Sequence, residues 1–399
     1  MRLLDLLVIG SLALFWYALV PIGGAFWERR RWRRFRQRFD ELRFNPILNY
    51  TYYSQGNEGR FRFFGGFESV TDGHTLWLRG ADLTISVSLA GAQTYMLSMQ
   101  GPASASFPGE RAQGMADALY PENEAPVPVK WNQISALTGE ARVFVGGQLL
   151  SQDNRLAFAS VRDFPLLVIF FTGQDRMLTP QAIQAGRNKN EYWNRITPYS
   201  FILGAFSFVL LAFSYIRRPL FRLTLISAFS AAFIPLFPLI PPGFLFTLVY
   251  RWLWQRARSL RVYRDLATLP VKYFPGDTAL RVLPDGDIYA KLQVAPGASS
   301  PVQEHIPLVI PAQEGTPADG WYCFGALDAP LPESGGELPP LREPRDPCAT
   351  FGAVPGNPEG LARKFTIKAY MMETVSWVFL LGGICVNILI AGLIILSFI

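Results

Sequence analysis

The chain has 399 residues; half are hydrophobic, 17% are charged and 14% aromatic, and the formal charge is 37 − 31 = +6. That balance, with a slightly positive mean hydropathy, argues against a disordered chain and against an ordinary soluble protein. Three cysteines exclude a disulfide scaffold, and two histidines without paired ligand spacing exclude a zinc finger or a His-rich metal site.

Residues 6–27 are free of charged groups until the arginines begin, and 22 residues at 1.5 Å each cover a bilayer core of about 30 Å. The run ends in Trp27 and then Arg29, Arg30, Arg31, Arg33, Arg34, Arg36 and Arg38. These flanks favour a retained anchor over a signal peptide, whose apolar region is shorter and ends in small residues. The same arginines, interleaved with Trp32 and Phe35, suit an interfacial segment facing anionic lipid headgroups, where each exposed arginine contributes about 1 kcal/mol. Nucleic acid is not expected as a partner, because the cations stand beside a membrane helix.

Residues 44–195 alternate apolar and polar over short stretches. Strands are expected at 60–64, 75–79, 83–89, 94–98, 139–145, 155–161 and 166–171. Turn signals at Gly65-Gly66, Asp72-Gly73, Gly146-Gly147 and Asp153-Asn154 separate them, so the region reads as an antiparallel β-domain. A long insertion at 101–129, with a short helix at 109–119, is expected within it.

A second span is expected at 196–216, where Thr197-Pro198 gives an N-cap with proline at the first helical position. Arg217, Arg218, Pro219 and Arg222 form a basic turn. The third apolar run, 223–250, contains Pro235, Pro238 and Pro241-Pro242-Gly243, which argue against one straight helix. A helix over 223–240, a break at Pro241, Pro242 and Gly243, and an aromatic end at Trp252 and Trp254 are expected; a re-entrant hairpin is the competing reading.

Residues 255–368 form a second extramembrane region. A short basic helix at 256–266 and strands at 271–274, 279–283 and 288–294 are expected, with Asp285-Gly286 as a hairpin turn. Between 280 and 350 ten acids face four bases, and the composition beyond Ala295 predicts an acidic, loop-dominated surface. The final run, 374–399, places Gly383, Asn387 and Ala391 four apart, a small and polar stripe along which another helix can approach closely.

The expected architecture is an integral membrane α-helical protein with about four spans and two β-rich extramembrane domains. Its parts are 1–43 (first span and basic juxtamembrane segment), 44–195 (β-rich), 196–254 (hairpin of spans with a proline-broken second segment), 255–368 (β- and loop-rich, acidic) and 369–399 (last span). The larger basic clusters, at 29–43, 251–264 and 363–368, lie in the cytoplasm if both termini are outside; Arg2 and the 217–222 turn then break the positive-inside rule. A bacterial cytoplasmic membrane is the expected location.

No phosphate-binding loop, H-E-x-x-H, C-x-x-C or G-x-S-x-G is present. His74 and His305 lack a visible positioned partner. Cys323 and Cys348 are placed to pair only in an oxidising compartment. No catalytic residue, cofactor or metal site is therefore expected. Three functions stay open: a non-catalytic structural or assembly subunit of a membrane complex, partnered by other subunits or by itself; a transport component using the broken third segment; and a membrane enzyme with dispersed residues.

The order helix, β-domain, helix resembles the membrane-flanked domain of GIDE-type proteins. The likeness rests on residues 136–145, ALTGEARVFV, followed by a strand pair and the helix at Ile196. It covers residues 1–216 and implies architecture alone: the family's RING is missing, so ubiquitin-ligase activity does not carry over. In that family the domain lies across the membrane from the RING, which opposes the orientation above.

Overall fold

A computed structural model describes residues 3–71, 75–97, 127–128, 141–152, 155–187, 192–216, 222–276, 278–294, 306–310, 320–328 and 340–397. His74, His305, Arg217, Arg218, Pro219 and nearly all of the 101–129 insertion fall outside them. The chain divides into two units. The first comprises Met1–Arg33, Lys189–Leu260 and Ile367–Ile399; the second comprises Arg34–Asn188 and Arg261–Thr366.

The first unit is helical. Helix α1 (Leu3–Leu14) passes through a π-helical stretch (Phe15–Leu19) into α2 (Val20–Leu42). It is followed by α5 (Thr197–Tyr215), α6 (Arg222–Ala232), a 3-10 stretch (Ile234–Leu239), α7 (Gly243–Thr268) and α8 (Pro358–Ser397). Three helical segments, Leu7–Leu42, Thr197–Tyr215 and Pro358–Leu393, are long and apolar enough to cross a membrane. Ile9, Tyr17, Phe208, Ala212, Ala228 and Ala231 form the buried contact between α1, the π stretch, α5 and α6. Gly204 permits that approach, since a Cβ there would stand 2.6 Å from Tyr17 Cε1. The expected helix over 223–240 is thus two pieces, because Pro235 and Pro238 convert its second half to 3-10 geometry. The expected separate helix at 256–266 is the continuation of α7.

The second unit contains two sheets, the short helices α3 (Tyr50–Ser54) and α4 (Leu178–Gln184), and the C-terminal end of α2. Strands β1 (Gly59–Thr71), β2 (Thr75–Arg79), β3 (Thr84–Ser88), β6 (Arg142–Gln152) and β7 (Arg155–Ala159) pair in the order β1-β2-β3-β7-β6, and β6 pairs back to β1. That closes a five-stranded barrel, the architecture class that includes OB-folds. Strands β8 (Leu167–Phe171), β4 (Gln93–Met96) and β5 (Val127–Pro128) extend the sheet outward from β6.

The expected β-domain is not wholly antiparallel, since β3–β7 in the barrel and β4–β8 in its extension are parallel. Nor are Gly65-Gly66 and Gly146-Gly147 turns; both lie inside long strands. At Gly66 strand β1 exchanges its partner β6 for β2, and a bulge follows between Phe67 and Ser69. A side chain at Gly65 would stand 3.0 Å from the Arg79 carbonyl, so glycine marks a barrel corner there.

Alternation fills the barrel with Phe61, Phe63, Leu78, Val87, Val145 and Phe158. Its outer face is covered by α2: Phe35 packs edge-on to Tyr95, Phe39 edge-on to Phe144, and Leu42 sits over Gly146. Phe35, Phe39 and Leu42 follow at spacings of four and three, one stripe of the helix, and each buried side chain contributes about 1.5–3 kcal/mol.

The second sheet is antiparallel, in the order β12 (Leu341–Arg342), β11 (Trp321–Leu327), β10 (Ile288–Val294), β9 (Leu280–Val282), with β13 (Gly352–Pro355) also on β11. Gly286, at φ +88°, makes the expected β9–β10 hairpin. Two expectations fail. Residues 271–274 begin as a 3-10 turn (Val271–Tyr273), and the stretch beyond Ala295 contributes three strands. Strand β11 supplies buried Trp321, Cys323 and Phe324, so its apolar content outweighs the loop-like composition around it.

Candidate functional site

Two sets of polar groups in the helical unit stand where prolines interrupt hydrogen bonding. Pro21 supplies no N–H to the turn before it, and Val20 N–H reaches Phe15 O in the wider π spacing. In that turn Ser200 Oγ donates to Trp16 O and Tyr192 OH to Tyr17 O, while Asn194 Nδ2 donates to Pro21 O at 3.0 Å. Gly24 leaves room for Asn194, whose Oδ1 would be 2.6 Å from a Cβ at that position.

The second interruption is at Pro241, Pro242 and Gly243. Proline nitrogens stand four residues beyond Phe237 and Pro238, where helical donors would be. Asn387 Nδ2 donates to Phe237 O at 2.6 Å and to Ile240 O at 2.9 Å; Thr247 Oγ1 donates to Pro238 O at 2.9 Å. Phe237 O and Ile240 O also accept from Ile240 N and Phe244 N. Gly383, one turn before Asn387, faces Phe246: a Cβ there would be 2.7 Å from Phe246 Cβ and 3.4 Å from Gly243 Cα. Ala391 is half-buried one turn further on. The stripe of α8 therefore packs at least partly against α7 of its own chain. This is the arrangement by which helices retain prolines without exposing unsatisfied backbone.

The arginine row divides by role. Arg29, Arg30, Arg33 and Arg34 are exposed, and Arg31 lies over Trp32 with its Cζ 5.1 Å from the ring. Arg36 Nη1 donates to Ala185 O at 2.7 Å, and Arg38 donates to Pro165 O while stacking over Phe164. Arg36 and Arg38 thus bind the β-rich unit, as does fully buried Arg43. It is ion-paired to Asp40 at 2.7 Å and donates to Leu269 O at 3.2 Å.

Within the β-rich unit a buried polar cluster joins the barrel to the second β-region. Arg62 lies on the outer face of β1, fully buried. Its Nη2 meets Asp346 Oδ2 at 2.5 Å and its Nε donates to Asn45 O at 2.7 Å. Asp346 Oδ1 accepts from Cys348 N at 2.9 Å, closing an Asx-type turn. Tyr273 OH donates to Cys348 O at 3.1 Å, and Tyr289 OH to Thr350 O at 2.6 Å. Burial opposes the charge on Arg62, but the Asp346 carboxylate overcomes it and holds the guanidinium protonated. Burial pushes the Tyr273 and Tyr289 hydroxyls up, keeping both as donors.

A cleft of about 80 Å³ beside this cluster is lined by Thr179, Cys348 and the ion pair Arg176–Glu343, among others. It is far below the roughly 300–1,000 Å³ of small-molecule sites. Burial pushes the Cys348 thiol up, the opposite of an activated nucleophile. Cys323 and Cys348 are both buried and are not joined in a disulfide. Among the described residues no group of His, Cys, Asp and Glu is arranged to hold a metal ion.

Sequence reasoning did not single out Arg62, Asp346 or the donors on residues 192–200. An arginine in an alternating strand reads as solvent-facing, and only its burial by a distant segment shows otherwise. Pro21 carried a usable signal, a proline inside an apolar run.

The β9–β10 hairpin is held by Asp287, which accepts from Arg342 Nη2 at 2.6 Å and from Arg345 N at 2.9 Å. Burial would raise this carboxyl, yet Arg342 and Arg345 hold it below the usual carboxylate range. A lowered folded-state value adds stability that is present above the unfolded carboxylate range and is lost as pH falls through the folded value. Asp287→Asn is therefore expected to be less stable than wild type at neutral pH, with the gap closing on acidification. Thermal unfolding of both proteins between pH 7 and pH 3 measures it, and a pH-independent gap would contradict the assignment.

No protein-family model matches the chain, and neither a curated protein nor a solved structure proved similar to it.

Proposed function

We propose that the chain is a multi-pass protein of the bacterial cytoplasmic membrane, that it crosses the bilayer four times with both β-regions in the cytoplasm, and that it serves as a non-catalytic structural or assembly subunit of a membrane complex. The observation that supports a shared side for the two β-regions is the buried Arg62–Asp346 pair, which links residues on either side of the 189–260 stretch within one compact unit. Two segments that share a buried core lie on one side of a bilayer, so the chain between them crosses an even number of times. Helix α5 supplies one crossing. The return is made by a broken path: α6, about 17 Å long, the 3-10 stretch, about 12 Å, and the first ten residues of α7, about 15 Å, together long enough for a core of about 30 Å. The break between them meets Asn387 near the middle of the last span. The basic clusters at 29–43, 251–264 and 363–368 then share the cytoplasmic side, as the positive-inside rule favours.

How the polar groups of the spans are used bears on the transport alternative. Asn387, Thr247, Tyr192, Asn194 and Ser200 donate to backbone carbonyls around the two proline sites. A broken helix can mark a transport site, but here the carbonyls at the break already accept side-chain donors, so the transport reading gains no support. The likeness of residues 1–216 to GIDE-type proteins stays a proposal about architecture, a helix, a β-barrel and a helix in that order.

Cysteines introduced at Gln55, Thr278 and Arg218 test the orientation. A membrane-impermeant maleimide is expected to label position 218 in intact spheroplasts and positions 55 and 278 only after lysis. Labelling of 55 and 278 from opposite sides would overturn it. Purification from native membranes in mild detergent tests the role: partners in fixed ratio are expected, and recovery of the chain alone would remove the subunit reading.

A further inference from the structure

The exposed face of α2 changes character along its length. Leu19, at the end of the π-helical stretch, and Ile22 are followed by Phe26 and Trp27, each more than half exposed, and then by Arg29, Arg30, Arg33 and Arg34. At 100° per residue these eight side chains fall within one sector of about 160°. The face thus passes from aliphatic to aromatic to cationic over roughly 15 residues. Trp27 to Arg34 is about 10 Å of helix, comparable to a headgroup layer.

Two other helices repeat the order independently. Along α7, exposed Leu245 and Leu248 give way to Trp252, whose ring lies 5.7 Å from the Arg256 guanidinium, with Arg251 exposed beside it. Along α8, read backwards, exposed Val378 and Val375 are followed by Met371 and Tyr370 and then by exposed Lys368 and Lys364. The direction reverses on α8 as it must for a helix that re-enters from the same side. Arg36, Arg38 and Arg43 interrupt the pattern because they are engaged with carbonyls of the β-rich unit.

We propose that Arg29, Arg30, Arg33 and Arg34, on one face of α2, bind the phosphates of anionic phospholipids, as do, each on its own helix, Arg251 and Arg256 of α7 and Lys364 and Lys368 of α8. The inference rests on the membrane-spanning reading above. Lipid is the occupant that fits, because aliphatic and aromatic side chains directly precede the cations on each exposed face, whereas a nucleic acid or acidic protein would leave that apolar margin uncovered.

The test uses the full chain in mild detergent, titrated with an equimolar mixture of phosphatidylglycerol and phosphatidylcholine and read by native mass spectrometry. Phosphatidylglycerol adducts are expected to dominate, and the excess should shrink as salt rises. In the variant R29Q/R30Q/R33Q/R34Q the preference is expected to fall about fivefold or more. It should persist in R36Q and in the charge-preserving variant with lysine at the four positions. Equal uptake of the two lipids by wild type, or an unchanged preference in the glutamine variant, overturns the proposal; if that variant does not fold, the salt series on wild type decides. Carbonate extraction separates the two levels. A chain that stays in the membrane without headgroup preference sinks this inference alone, and a chain released by carbonate sinks the membrane reading with it.

Discussion

Arg62→Ala is expected to lower the unfolding free energy by about 3–5 kcal/mol, because it leaves the Asp346 carboxylate buried without its cation. Both side chains are 1% exposed, so water does not replace the lost partner. Asp346→Ala is expected to cost as much, and it also removes the acceptor for Cys348 N. Asp346→Asn separates the two effects. It strands Arg62 but keeps an oxygen for the turn, and it should therefore be less damaging than alanine by about 1 kcal/mol. An apolar replacement of the pair, R62M/D346L, is expected to cost less than either single alanine variant, since a buried pair stabilises little over well-packed hydrophobic groups. Thermal and urea unfolding in detergent measure all four. Single variants within about 0.5 kcal/mol of wild type would show that the pair does not hold the two β-regions together.

Several strands were legible because period-2 alternation survives in both sheets. Strand β2 and strand β10 fall where the pattern places them, at Thr75–Arg79 and Ile288–Val294. Features set by distant contacts were not legible. Gly65-Gly66 and Gly146-Gly147 look like turns, yet glycine also serves where a strand bends or a helix presses close, as Leu42 does on Gly146. Strand β11 was hidden because its neighbours in sequence are rich in Pro, Gly and acid, while its partners β10 and β13 surround it in space. The arginine row showed its charge but not its division, since only the fold distinguishes Arg36, donating to Ala185 O, from exposed Arg33. At the helix break the prolines were plain. Asn387 stood out as a polar group in an apolar run, but its acceptors, 147 and 150 residues away, were not visible.

Gly243→Ala is expected to be the most damaging single-methyl change in the helical unit. Its Cβ would stand 2.3 Å from Asn387 Nδ2 and 2.6 Å from Phe237 O. The first contact can be relieved by swinging the asparagine away, which leaves a buried amide without acceptors and costs about 1–3 kcal/mol. The second is with backbone held by prolines on both sides, and overpacking of this kind costs about 1–3 kcal/mol more. Together the two cost about 2–6 kcal/mol. Asn387→Ala alone is expected to cost less, about 1 kcal/mol, because Phe237 O and Ile240 O each keep a backbone donor. In the double variant the smaller side chain at 387 removes one of the two clashes, so the combined loss should fall short of the sum of the singles. Thermal unfolding in detergent, followed through the tryptophans, gives all three values. Strict additivity would mean that Gly243 and Asn387 act separately. A neutral Gly243→Ala would mean that the break closes differently, and the half-helix crossing would have to be redrawn.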